Sequence, residues 1–379
     1  MATNGNNGNE RNLVVVQLSG GNDALNTLIP YNNGLYYDFR PHVNIKPEDA
    51  IVLDDNLGLN PALSPFKDIW DDGNMAIING IGYPNPNRSH FRSMDIWHTA
   101  ESEKIGDEGW LGQAIRQLDP DSDNVLTGVN FGRGLPRSLH AEGVSVASVG
   151  NLETYGLFPD IKDQKLRDIA VDAFSQMYGG TTGDNISSFL KQTGNDALKG
   201  ADILRTAPAQ YTSSVEYADD PISQNMKAIA QVMTADIGTK VYYTTHGSFD
   251  THAGELPMHS KLWSEVSRAM SDFMTDIENH GLAENTLVLL FSEFGRRIKD
   301  NGAGTDHGSG GVAFVLGGAI NGGFYGQFPS LEEDQHLGGD LHFNNDFRST
   351  YATILDKWLH IDPSPITKQT YEQFNFVTN

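Results

Sequence analysis

The stretch "SFDTHAGELPMH", Ser248 to His259, gathers an aspartate, a glutamate and two histidines directly after the apolar run "VYYTT". Carboxylates and imidazoles are the side chains that divalent metals bind, so Asp250 and His252 are candidate ligands at a strand end. An isolated Asp-x-His is equally a solvated turn, and the metal reading gains weight only from what other strand ends carry. The first apolar run, "NLVVVQL", ends in "SGGND", which presents Asn22 and Asp23. The run "TLVLLF" ends in "SEFGRR", which presents Glu293 and Arg296, and the glycine-rich "GAGTDHGSGG" that follows contains Asp306 and His307. Such a mixed set suits Zn²⁺, Mn²⁺, Mg²⁺ or Ca²⁺, as one ion or two. Each member also has a plain structural role. Asp23 suits a helix N-cap, Glu293 an ion pair with Arg296, and "TDHG" a turn. His246 and His259 are close enough in sequence to support the ligands from behind.

A metal needs something to act on. In "NPNRSHFRSMDIWHTA", residues 85–100, a helix is expected to begin near Ser89. Free backbone N–H groups at a helix start favour anions, and a metal beside the Ser89 hydroxyl would make it a nucleophile at neutral pH. Ser89 and His90 are therefore the candidate catalytic residues, and Arg88, Asn22 and Arg296 the candidate anion-binding ones. A plain N-cap serine, or a glycosylation sequon at "NRS", would explain the same residues without chemistry. The glycine-rich loop lacks the lysine of a phosphate-binding loop, "GGNDALN" lacks dinucleotide spacing, and "QLSGG" is not a G-x-S-x-G elbow.

The elements that must position these residues alternate. Short apolar runs at 12–18, 74–82, 240–247, 286–291 and 311–318 read as buried strands. Between some of them lie amphipathic helices, such as the one that puts Leu262, Val266, Met270, Phe273 and Ile277 on one face and stops at Gly281. Near the end, Phe347, Tyr351, Ile354, Leu355 and Trp358 form another stripe. Strands alternating with helices imply an α/β fold with a mostly parallel central sheet between helices, and ligands then bind outside the carboxyl ends of the strands. Residues 1–11 read as a flexible leader, and 12–379 as a single domain with a mainly helical insertion at about 150–235.

Composition narrows the function. With 26 basic and 49 acidic residues among 379, the net charge is −23, which repels nucleic acid and anionic membranes. The absence of cysteine excludes disulfides, thiolate nucleophiles and zinc–sulfur sites. No apolar run approaches the roughly 20 residues of a membrane span, and the polar start has no signal-peptide core.

Taken together, "LVVVQLSGGNDALNTLIPY", "NRSHFRSMDIW", "GWLGQAI", "SFDTHAGE", "SEFGRR" and "GTDHGSGG…GGFYGQFPSL" resemble the bacterial family known as domain of unknown function 1501, in the alkaline phosphatase/sulfatase-like superfamily. The resemblance runs from about 12 to 360. It implies an alkaline phosphatase-like fold, metal at the strand ends, and a nucleophile that displaces phosphate or sulfate. By position, Asp23 resembles the first-strand aspartate, Ser89 the nucleophile, Asp250 and His252 the Asp/His pair of one metal, and His307 its last histidine. Glu293 stands where an Asp-His pair supplies the second metal, but Phe294 follows it, and Asp250-x-His252 is tighter than the usual Asp-x-x-x-His. A formylglycine sulfatase is disfavoured, since there is no cysteine. The resemblance further implies a periplasmic or extracellular setting and a small-molecule or glycan ester as substrate. The expectation is a metal-dependent hydrolase or transferase of an anionic ester, most of all a phosphate, using a serine nucleophile. The alternatives are a metal-stabilised binding or scaffold protein of the same fold, or a sulfatase-like esterase.

Overall fold

The structure is a computed structural model and describes residues 11–152 and 207–378, with isolated positions between 155 and 204. Its main sheet contains β1 (Asn12–Leu18), β5 (Met75–Gly82), β6 (Gly128–Phe131), β7 (Ala147–Val149), β8 (Val241–His246), β9 (Thr286–Phe291), β10 (Gly311–Leu316), β11 (Gly323–Tyr325) and β12 (Asn345–Asp346). The order is β11-β5-β10-β9-β1-β8-β6-β7, with β12 also on β5. A small sheet of β2 (Leu28–Ile29), β3 (Ile51–Val52) and β4 (Gly58–Leu59) lies apart from it.

All five apolar runs of the sequence are strands. β1 is buried on both faces along its whole length, which is why its sequence reads as an unbroken β-branched run rather than an alternation. It pairs in parallel with β8 and β9, while β10 runs antiparallel to both β9 and β5, so the sheet is mixed and mostly parallel. Val14 and Val16 enter the core on one face, and Leu13 and Val15 enter the core on the other, as the two-residue period of a strand requires. On the first face lie α6 (Pro221–Thr234) and α7 (Glu255–Asn279), the latter burying Leu262, Val266, Met270, Phe273 and Ile277. The other face is covered by α4 (His90–Thr99), α5 (Trp110–Leu118) and α8 (Phe347–Thr353), where Trp97 stacks on Phe347 and Trp110 on Tyr351. Much of the stretch read as a helical insertion, and the leader up to residue 10, lie outside the described residues. The described part α6 packs against α7 and β8, and so belongs to the layer covering the sheet. Among the described residues no helix is long and apolar enough to cross a membrane.

The parallel register matters for function. Leu18 pairs with His246, and Gln17 with Phe291, so β1, β8 and β9 end together and their loops leave from one edge. The loop after β1 turns at Gly20 (φ +126°) and Gly21 (φ +76°). A side chain on Gly20 would meet the Asp250 backbone nitrogen at 2.4 Å, and one on Gly21 the Phe294 ring at 2.3 Å. Only glycine permits that approach of three loops.

Candidate metal centre

Three loops and one helix start converge at this edge. The loop after β8 supplies Asp250 and His252, the loop between β9 and β10 supplies His307, and the first residue of α4 supplies His90. Nε2 of His90 is 3.0 Å from Nε2 of His307, and Nε2 of His252 is 2.9 Å from that same atom. The Asp250 carboxylate closes the group: Oδ1 lies 3.0 Å from His307 Nε2 and 3.1 Å from His252 Nε2, and Oδ2 lies 3.4 Å from His90 Nε2. Among the described residues, His90, Asp250 and His307 form a group whose ligand atoms all lie within 4.8 Å of one another, and His252 extends it through its two contacts.

The far nitrogens decide the tautomers. Nδ1 of His90 is 2.8 Å from Glu293 Oε1, Nδ1 of His307 is 2.8 Å from the Arg88 carbonyl, and Nδ1 of His252 is 3.0 Å from Asp306 Oδ1. A carbonyl accepts only. Burial pushes the Glu293 carboxyl up, but hydrogen bonds from His90, the Gly20 amide and Ser292 outweigh it and hold Glu293 ionised. Asp306 is held below the usual carboxylate range chiefly by His252. All three Nδ1 atoms therefore donate, and in the neutral rings the Nε2 lone pairs of His90 and of His252 each face that of His307 and the Asp250 carboxylate. Lone pairs this close need a proton or a cation between them. Zinc–nitrogen bonds of about 2.0–2.1 Å place tetrahedral ligands about 3.3 Å apart, close to the spacing seen here. The donor set fits a divalent metal.

Asp250 is ionised throughout the physiological range. Its partial burial pushes the carboxyl up, but the hydrogen bond and the charge of the Arg296 guanidinium bring it down to about 2. The His90 pKa is raised, first by its bond to Glu293. Phe294, where the resemblance led to expect a histidine, packs its ring 4.9 Å from that of His90 and 5.0 Å from that of His307. It is an apolar wall behind the imidazoles.

The structure gives several expected site residues other work. Asp23, expected as a ligand, caps α1 (Ala24–Thr27) through the Leu25 and Asn26 amides and pairs with Arg40 at 2.6 Å, both side chains being 0% exposed. Glu293, also expected as a ligand, spends both oxygens on Gly20, His90 and Ser292, and so orients the His90 ring from behind. Arg296, expected to hold an anion, is buried and fully committed: it donates to the carbonyls of Gly20, Gly21, Phe249 and Thr305 and to Asp250. It fastens the three loops and is closed to substrate. Asn22 is buried too, its Oδ1 accepting from Thr27 and Trp263 and lying 3.1 Å from His259 Nε2. Arg88 remains 42% exposed while paired with Asp340. Ser89 is the exposed N-cap of α4, and its hydroxyl makes no cap bond. The residues on either side of it, through the Arg88 carbonyl and the His90 ring, both touch the cluster.

Sequence reasoning missed Arg40, Glu255 and Thr305. Glu255 accepts from Asn26 at 2.6 Å and from Thr305 at 2.7 Å beside Asp23, and burial and then the Asp23 charge push its carboxyl up to about 9. The signal for Glu255 was its place in "DTHAGE", but nothing in the sequence marks that helix start as buried. His246 pairs with Glu265, and His259, brought down to about 4 by burial, belongs to the Asn22 network.

The chain belongs to the family described as protein of unknown function DUF1501, whose profile matches residues 79–368. No curated protein sequence matches. Among solved structures the chain is similar to the PsFucS1 sulfatase from Pseudoalteromonas sp. (11% identity, 97% of this chain and 71% of that one, TM-score 0.42). It is also similar to the phosphonate monoester hydrolase of Agrobacterium radiobacter (10% identity, 96% and 79%, TM-score 0.42). A third is the C-terminal periplasmic domain of EcEptC from Escherichia coli in complex with Zn (7% identity, 82% and 73%, TM-score 0.38).

Proposed function

We propose that the protein is a metal-dependent hydrolase of an anionic ester, a phosphate ester first, built on one metal ion. The observation that carries this reading is the convergence of three imidazole Nε2 atoms and the Asp250 carboxylate at 2.9–3.4 Å, each imidazole backed by its own acceptor. Three imidazoles favour Zn²⁺ or Mn²⁺ over Mg²⁺ or Ca²⁺, which prefer oxygen ligands. Asp23 and Glu293, the residues expected to contribute to further ligation, are already engaged with protein partners, which supports a single ion.

A bound cation would polarise the ester oxygens and lower the pKa of a nearby hydroxyl. Around it the chain's own groups divide the work. Glu293, Asp306 and the Arg88 carbonyl fix the imidazole tautomers, and Arg296 holds the loop of Asp250. Ser89, at the start of α4 and flanked by two residues of the cluster, is the proposed nucleophile. Its Oγ would give its proton to water and form the bond to phosphorus as the ester P–O bond breaks, and the departing alkoxide would take a proton from water. Water then hydrolyses the seryl phosphate.

The test uses zinc-loaded protein on an aryl phosphate and an aryl sulfate, beside Asp250→Ala and Ser89→Ala. Phosphatase turnover that both substitutions abolish supports the reading. Faster turnover of the sulfate moves the assignment to a sulfatase-like esterase. Bound metal with no turnover of either ester points instead to a metal-stabilised binding protein.

A further inference from the structure

A cleft of about 300 Å³ opens directly beside the metal centre, with His90 and Glu293 in its wall. The next residue of α4, Phe91, also lines it and is 92% exposed, the most exposed large apolar side chain among the described residues. Met94, one turn further on, continues the same wall. An aromatic ring and a thioether side by side in the wall of a cleft that also contains His90 offer an apolar group a surface to lie on.

The charged groups of the cleft are paired within the protein, while the Ser19 hydroxyl, also in its wall, makes no side-chain hydrogen bond among the described residues. Asp95 is held by Arg92 and by Arg137, whose Nη1 is 2.8 Å away, and Arg137 also donates to the Gly106 carbonyl. His98 bonds Gln17 at 2.8 Å, and burial lowers its pKa to about 4, so it adds no charge. A flat apolar group needs only the Phe91 and Met94 faces.

Resting on the metal-ester reading above, the geometry points to an ester whose organic part is aromatic or similarly flat and apolar. The anion would be held by the cation that His90, His252, His307 and Asp250 would bind, while the organic part lies against Phe91 and Met94.

Two non-hydrolysable probes with the same anionic head separate this from the reading it rests on. Phenylphosphonate and methylphosphonate are titrated calorimetrically into zinc-loaded protein. Phenylphosphonate is expected to bind about tenfold more tightly, as one stacked ring provides. In Phe91→Ala that ratio falls to near one, and Met94→Ala lowers it partway. Equal binding of both probes to the wild type, or a preference unchanged in Phe91→Ala, overturns the aromatic assignment and leaves the metal centre standing. Binding of neither probe overturns both.

Discussion

His90 and His307 meet Nε2 to Nε2 at 3.0 Å, and each keeps its own proton on the far nitrogen, held by Glu293 and by the Arg88 carbonyl. Two neutral rings so placed repel. The pair is relieved by a proton on one ring, consistent with the raised His90 pKa, or by a cation between them. Metal and proton therefore compete. Zinc affinity is expected to fall as pH drops below neutrality, with protons released on binding, both readable by titration in buffers of different ionisation enthalpy. Affinity independent of pH between 5 and 8 contradicts this arrangement.

Glu293 acts through His90. Glu293→Gln can still accept from Nδ1 but removes the charge that makes the ring a better ligand, and a loss of about 10- to 100-fold in zinc affinity is expected, against a much larger loss for His307→Ala. If Glu293→Gln abolishes binding as fully as His307→Ala, Glu293 is itself a ligand.

Ser89 and Arg296 are distinguished by what their loss spares. Ser89→Ala should retain metal and melting temperature while turnover falls by at least about a thousandfold. Arg296→Lys should lower the melting temperature and zinc affinity, because an ammonium cannot reach the carbonyls of Gly20, Gly21, Phe249 and Thr305 as well as Asp250. A variant of normal stability and metal content with only a raised KM would return Arg296 to the substrate.

Asp23 and Arg40 are a fully buried pair, so Asp23→Ala leaves a buried guanidinium with only the Arg297 and Ile298 carbonyls. Denaturant unfolding should show a loss of about 3–5 kcal/mol. A loss under about 1 kcal/mol would mean that Arg40 finds water or another partner.

Glu255 sets a pH dependence of stability. Folded, its carboxyl titrates at about 9, against an unfolded value of 4.5. Between these values the folded state keeps a proton that the unfolded state releases, so this group makes stability fall as pH rises through that window. Glu255→Gln, neutral at every pH, should flatten the decline between pH 6 and 9 relative to the wild type. Parallel curves for the two proteins would mean that Glu255 is ionised in the fold.

The strands were legible because a doubly covered strand must be apolar throughout: "LVVV", "AII" and "LVLLF" leave no other reading. The meeting of Asp250, His252 and His307 was legible for a related reason, since polar side chains clustered just past such runs must lie at the sheet edge. The loops between were not. Whether Asp23 turns to the cluster or to Arg40 depends on a contact across the fold that no local pattern encodes. Arg296 and Glu293 look alike in sequence whether they face substrate or the backs of neighbouring loops. His90 follows a serine at a helix start, and only the rotation of α4 shows that its ring reaches the cluster.

The central claim is that four side chains hold one metal ion. Elemental analysis of the purified wild type, after saturation with Zn²⁺ and removal of excess, is the direct measurement, beside Asp250→Ala and His307→Ala. One ion per chain in the wild type, lost in both variants while their folds remain intact by circular dichroism, is the predicted result. No retained metal in the wild type, or equal metal in all three proteins, contradicts the account.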